Sequence, residues 1–234
     1  MRTVYIVVAA VPPIIHVPQI RIPVPGIEVR MHPSWSRVEE DHGKCTGEAG
    51  PYLRAMATLR TTAQHDDLIV FMHDHRTTWH QPVEMGSHLT RLLTQHAEYM
   101  REPYGQLYCF SNQVMTVNNT RMSPNGITGL WNTFFNGTQW DGRGPKSKSE
   151  PQFYPCCGTF FVQGSTLKRH TSHAYLRVIG NMARACRDTS LVELRKSWPS
   201  VRYLAAQTIE GWWHLMLTNN SHVPPAAWCQ SQKP

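Results

Sequence analysis

The run Leu68-Ile69-Val70-Phe71-Met72 constrains this chain more than any other feature. Five consecutive apolar residues are too few for a buried helix, and as a strand they place apolar side chains on both faces. Such a strand must be covered above and below, which is the situation inside an α/β sheet. The run then stops abruptly in His73, Asp74, His75 and Arg76. A buried strand therefore feeds directly into a cluster of ionisable side chains.

The rest of the chain reads in the same terms. Val4 to Val11 is a second uncharged, β-branched run, closed by Pro12 and Pro13. Ile20 to Met31 alternates, but Pro23 and Pro25 leave only Ile27 to Met31 as a strand, at an edge. Pro51 opens a helix expected to reach about Thr62, with Leu53, Met56 and Ala57 at helical spacing. A helix over Val83 to Tyr99 puts Met85, Leu89, Leu92, Leu93 and His96 on one face. Thr159 to Gln163 reads as a strand, and Ser172 to Arg187 and Tyr203 to Leu217 as helices. Residues 117–155, rich in Asn, Gly, Pro, Ser and Thr, read as an irregular loop region. Without a composition break or a repeat, this alternation predicts one α/β domain over residues 1–234, with a mixed, mostly parallel sheet flanked by helices.

Composition narrows the function classes. A hydrophobic fraction of 41% excludes a disordered chain. The longest uncharged apolar stretch, Val4 to Val11, falls far short of the roughly 20 residues that span a bilayer, so no transmembrane segment is expected. No signal peptide is recognisable, which favours the cytoplasm and otherwise leaves the compartment open. Six cysteines form no C-x-x-C pair, which argues against a zinc knuckle; their even number permits disulfides without requiring any. A net charge of +7 suggests an anionic partner: nucleic acid, a membrane surface or a phosphate-bearing small molecule. Nucleic-acid signatures are missing, which makes nucleic acid the weakest of the three. P-loop, Rossmann and G-x-S-x-G motifs are missing too, so NTPase, dehydrogenase and serine-hydrolase readings lose their weight. The oligomeric state stays unknown.

Three groups of residues carry chemistry. In open α/β sheets, ligands bind in the crevice beyond the carboxyl ends of the strands, where His73, Asp74 and His75 are expected, followed by Trp79 and His80. An Asp with His neighbours is a donor set suited to Mn, Fe or Zn. If the strand continues, residues 73 and 75 share a face and Asp74 takes the other. Glu48, just before a helix, is either a partner of the helix dipole or a binding carboxylate. Glu210 stands three and four residues before Trp213 and His214, so these can face one ligand from a helix; the competing reading makes the indoles core. Arg169, His170, His173 and Tyr175 mark the entrance of another helix, where an anion is welcome.

Four motifs also stand in a recognisable order: Gly47-Glu48-Ala49 with Tyr52-Leu53; Asp67 to His75 with Trp79-His80; Cys156-Cys157-Gly158-Thr159-Phe160-Phe161-Val162; and Glu210 with Trp213-His214. Over about residues 45–217 the chain resembles the uncharacterised eukaryotic family called domain of unknown function thirty-four thirty-one. Residues 1–44 are atypical, since the first strand runs into a proline-rich stretch. The family's layout is similar to that of α/β nucleotide-sugar glycosyltransferases, which carry an acidic metal-binding loop after a central strand. The resemblance implies Mn or Mg held by Asp74 with His73 and His75 against the diphosphate of a nucleotide sugar. It implies an acceptor handled by Glu210 or Glu48. The alternatives are a carbohydrate- or anion-binding domain without turnover, with Trp79, Trp131, Trp140, Trp212 and Trp213 as stacking faces, and a metal-dependent hydrolase.

Overall fold

A computed structural model describes residues 2–10, 20–35, 46–73, 84–107, 124–141, 159–187, 209 and 213–218. Five strands form one open sheet: β1 (Arg2–Ala10), β2 (Ile27–Trp35), β3 (Leu68–His73), β4 (Tyr104–Gln106) and β5 (Phe160–Gln163), in the order β2-β1-β3-β5-β4. β1 pairs in parallel with both β2 and β3, whereas β5 runs antiparallel to β3 and to β4. The sheet is thus mixed, with β5 alone reversed. Its helices are α1 (Ala49–Thr62), α2 (Met85–Gln95), α3 (Pro124–Phe135), α4 (Gly164–Lys168), α5 (Ser172–Arg187) and α6 (Trp213–Thr218), with a 3-10 turn at Tyr99–Arg101.

Strand alternation divides the core in two. Tyr5, Val7, Ala9, Ile69, Phe71, Phe160 and Val162 face the layer made by α1, α3, α5 and α6. Val4, Ile6, Val8, Leu68, Val70, Met72 and Phe161 face α2, Ile20, Ile22, Met100 and Leu107. Every residue of β3 from Leu68 to Met72 has zero exposure, as its two-sided apolar sequence requires. β2 is the outer strand; its Ile27, Val29 and Met31 pack on the second core and its alternate residues are polar.

Two departures from the sequence expectations have physical causes. The helix expected from Val83 starts at Met85, because the Glu84 carboxylate accepts hydrogen bonds from the N–H groups of Gly86 (3.0 Å) and Ser87 (2.8 Å) and caps it. It ends at Gln95, and Tyr99 belongs to the 3-10 turn. The region read as irregular contains α3, a helix built from poor formers such as Gly126, Thr128 and Gly129. Tertiary packing of Trp131, Phe134 and Phe135, all buried at helical spacing, overrides that propensity. Part of the expected last helix, residues 203–208 and 210–212, lies outside the described residues, as do Cys45, Cys109, Cys156, Cys157 and Cys229.

The amino ends of the strands are tied by satisfied polar groups. Asp67 accepts from the N–H of Thr3 (3.0 Å) and of Gln64 (2.7 Å). Arg2 donates to the carbonyls of Asp66 and Met100 (both 2.9 Å) and to Gln163 Oε1 (3.1 Å). The N–H of Gly164 reaches Asp67 O at 2.8 Å, so close that a Cβ there would stand 1.9 Å from Gln64 O. Gly164→Ala is accordingly expected to cost about 1–3 kcal/mol or more of stability in urea unfolding; a loss within error of zero would disprove this close approach.

His88 on α2 is buried with Nε2 at 2.6 Å from Leu107 O, and burial holds its pKa below the usual 6.5. Its ring is therefore neutral and donates Nε2–H. A histidine whose folded pKa is lowered binds its proton more readily in the unfolded chain, so stability is full above 6.5 and falls as the pH drops through and below that value. His88→Gln should flatten the acid limb of a stability–pH curve measured by denaturant unfolding.

Candidate functional site at the carboxyl ends of the strands

The order β2-β1-β3 means that the chain leaves β1 toward one side and returns to pair on the other. The carboxyl ends of β1 and β3 therefore flank a topological switch point, where open α/β sheets bind ligands. Ala9 is registered against His73 at that point. The backbone of His73 thus sits where the sequence reading expected the polar cluster to begin. Asp74, His75, Trp79, His80 and Glu210 lie outside the described residues, as do the side chains of His73 and His214.

Around this end of the sheet a single row of residues crosses the strands. Phe160 on β5 pairs with Phe71 on β3, Phe71 with Val7 on β1, and Val7 with His32 on β2. The Phe71 and Phe160 rings stack at 4.7 Å between centroids. Above them Tyr52, in the first turns of α1, meets Phe71 edge-on at 5.1 Å, and Trp213, which opens α6, lies 5.2 Å from Phe160 and 6.1 Å from Tyr52. Gly47 takes φ +49°, a left-handed turn that suits glycine, and leads into Glu48 at the N-cap of α1. The Glu48 side chain makes no capping hydrogen bond at this helix end.

Polar groups in this region contrast with the satisfied amino end. Trp213 Nε1 and Thr159 Oγ1 are buried and have no hydrogen-bond partner among the described residues. His32 Nδ1 is buried and finds none beyond its own backbone; burial holds the His32 ring below the usual imidazole pKa. A buried orphan of this kind costs about 1–3 kcal/mol. For each of these three atoms, any partner lies outside the described residues.

Of the residues singled out from sequence, the structure sets Trp213 against Tyr52, one turn after Glu48, over Phe71 and Phe160; Tyr52, His32 and Thr159 were not proposed as site residues. The alternation of Ile27 to His32 puts His32 on the polar face of β2, but only the sheet order shows what that face meets. Trp131, Trp140 and Trp213 are buried, at 1%, 0% and 0% exposure, and so offer no open stacking face. Trp131 Nε1 donates to Trp140 O (3.0 Å) and Trp140 Nε1 to Met216 O (2.8 Å), which makes both structural. At the entrance of α5, Thr171 Oγ1 already accepts from the N–H of Ala174 (3.1 Å), while His170 and Tyr175 are buried. That helix end caps itself. Among the described residues no group of three His, Cys, Asp or Glu side chains could hold a metal; the triplet His73, Asp74 and His75 extends beyond them.

These features define an α/β protein whose mixed open sheet has a topological switch point at the carboxyl ends of β1 and β3. The family described as "Protein of unknown function (DUF3431)" matches residues 38–232, and the chain belongs to that family. The match extends past residues 45–217 at both ends and begins after β1 and β2. Neither the curated proteins nor the solved structures include a match to this chain.

Thr159→Val keeps the shape of the side chain and removes the orphan hydroxyl. Stability should stay unchanged or rise by up to about 1 kcal/mol in chemical unfolding. A loss larger than that would mean the hydroxyl is already satisfied.

Proposed function

We propose that this protein is a glycosyltransferase-like enzyme that moves a sugar from a nucleotide sugar to an acceptor with the help of a divalent metal. The observation that carries the reading is a pair of buried polar atoms without a partner among the described residues, Trp213 Nε1 and Thr159 Oγ1, on either side of Phe160 at the switch-point end of an open α/β sheet. A hydroxyl-rich ring can accept from such an indole N–H and pair with such a hydroxyl. Asp74 with His73 and His75, directly after β3, supplies a carboxylate and imidazoles to hold Mn or Mg, which would neutralise charge on the departing diphosphate. Glu48, at the start of α1, or Glu210, three residues before Trp213, would orient the acceptor hydroxyl and take its proton.

Thermal unfolding of wild type and Asp74→Ala, with Mn²⁺ or Mg²⁺ and a panel of nucleoside diphosphate sugars, tests the reading. A donor at about 100 times its dissociation constant should stabilise the wild type by roughly 2.7 kcal/mol. The shift should require metal and vanish in Asp74→Ala. Donor binding that ignores both metal and Asp74, or no shift with any sugar nucleotide, would overturn it.

A further inference from the structure

The positive charge of this chain is concentrated in one stretch. Residues 103–187 hold nine Lys or Arg and two Asp or Glu, and the remainder is balanced at fourteen of each. Residues 151–187 contain no carboxylate side chain. Among the described residues, one side of the sheet carries this bias: the helices α1, α3 and α5, which cover the same face, carry five arginines and no Asp or Glu within their bounds. On the opposite side Glu84, Glu98 and Glu102 around α2 and the 3-10 turn stand beside Arg91 and Arg101.

The outer side of α5 is the sharpest part of this surface. His173, Arg177 and Arg184 are exposed and recur at four and seven residues along one stripe, preceded by exposed Lys168 and Arg169. Among the described residues, none of Lys168, Arg169, Arg177 and Arg184 pairs with a carboxylate. Arg177 is held by its Nε–H donating to Asn136 O at 3.2 Å, and Arg184 donates to Asn181 Oδ1. Amid these cations stands Leu176, 44% exposed and the one exposed large hydrophobic side chain among the described residues.

We propose that the outer face of α5 docks this protein on an anionic lipid surface. A helix of 16 residues lying flat offers about 24 Å of contact. Its Arg177 and Arg184, with Lys168 and Arg169 just before it, meet phosphate and carboxylate headgroups, and Leu176 enters the boundary beside them. A nucleic acid would use the cations but leave Leu176 in water, and the described surface exposes no aromatic ring on which bases could stack. The apolar side of α5 stays in the core through Tyr175, Val178, Ile179 and Met182, so attachment is peripheral and reversible.

Co-sedimentation of the full chain with phosphatidylcholine vesicles, with and without phosphatidylserine, tests this. Binding should require phosphatidylserine and weaken as salt rises. Lys168→Gln, Arg169→Gln and Arg184→Gln together should lower the partition coefficient roughly a hundredfold, at about fivefold per cation. Leu176→Ala, which leaves the charge intact, should lower it about tenfold. Arg177 is left in place because it is bonded to Asn136 O, and melting curves within a few degrees of wild type verify that the exposed changes leave the fold alone. Equal binding to neutral vesicles, full binding by the triple variant, an unaffected Leu176→Ala, or binding to a duplex oligonucleotide with none to the vesicles would each overturn the proposal.

Discussion

The fold depends on β1 lying between β2 and β3. From Val4 to Ala9 no residue of β1 is more than 8% exposed, and both neighbours run parallel to it in unbroken register. Each buried aliphatic side chain there contributes about 1.5–3 kcal/mol relative to exposure. That gain requires covering layers on both sides, which commits the chain to helices on one face and to α2 with the segment around Ile20 and Ile22 on the other. β1 also precedes the part of the chain that matches the family, which begins at residue 38. Without β1, the matched portion would expose a bare edge of β3 and the apolar rows that β1 covers.

Those parts of the fold whose sequence answers to a single constraint were legible. A run apolar on both faces has to be an interior strand, and β1 and β3 are found where those runs stand. The spacing of Tyr175, Val178, Ile179 and Met182 defines a helix whose bounds, Ser172–Arg187, match the expectation residue for residue. What the sequence hid were elements that exist only through their neighbours. α3 is held by three aromatic side chains against an unfavourable backbone, and the three residues of β4 form a strand because β5 lies beside them.

The site divides along the same line. Glu48 and Trp213 were visible as residues, but their meeting depends on α1 starting at the carboxyl end of the sheet and α6 closing over Phe160. His32 and Thr159 carry no signal alone: one is a polar residue in an alternating strand, the other a threonine before a strand. They acquire meaning from the sheet order, which sets His32 in one row with Val7, Phe71 and Phe160 and puts Thr159 next to that row.

The distribution of charge bears on what the carboxyl end of the sheet can hold. Among the described residues with polar groups there, His32, Glu48, Tyr52, Thr159 and Trp213 include a carboxylate and no Lys or Arg. Arg54, Arg60, Arg177 and Arg184 lie instead on the helices of one outer layer, and Arg2 is fixed at the amino end of β1 by its three hydrogen bonds. Neutral, preformed donors of the Trp213 and Thr159 kind suit hydroxyl groups and need no reorganisation to receive them. They do not offset two negative charges on a diphosphate. If a nucleotide sugar is the ligand, as proposed, its phosphates would need positive charge from elsewhere, and His73, Asp74, His75 and Arg76 stand at the end of β3 in the sequence, where a metal or the arginine would supply it.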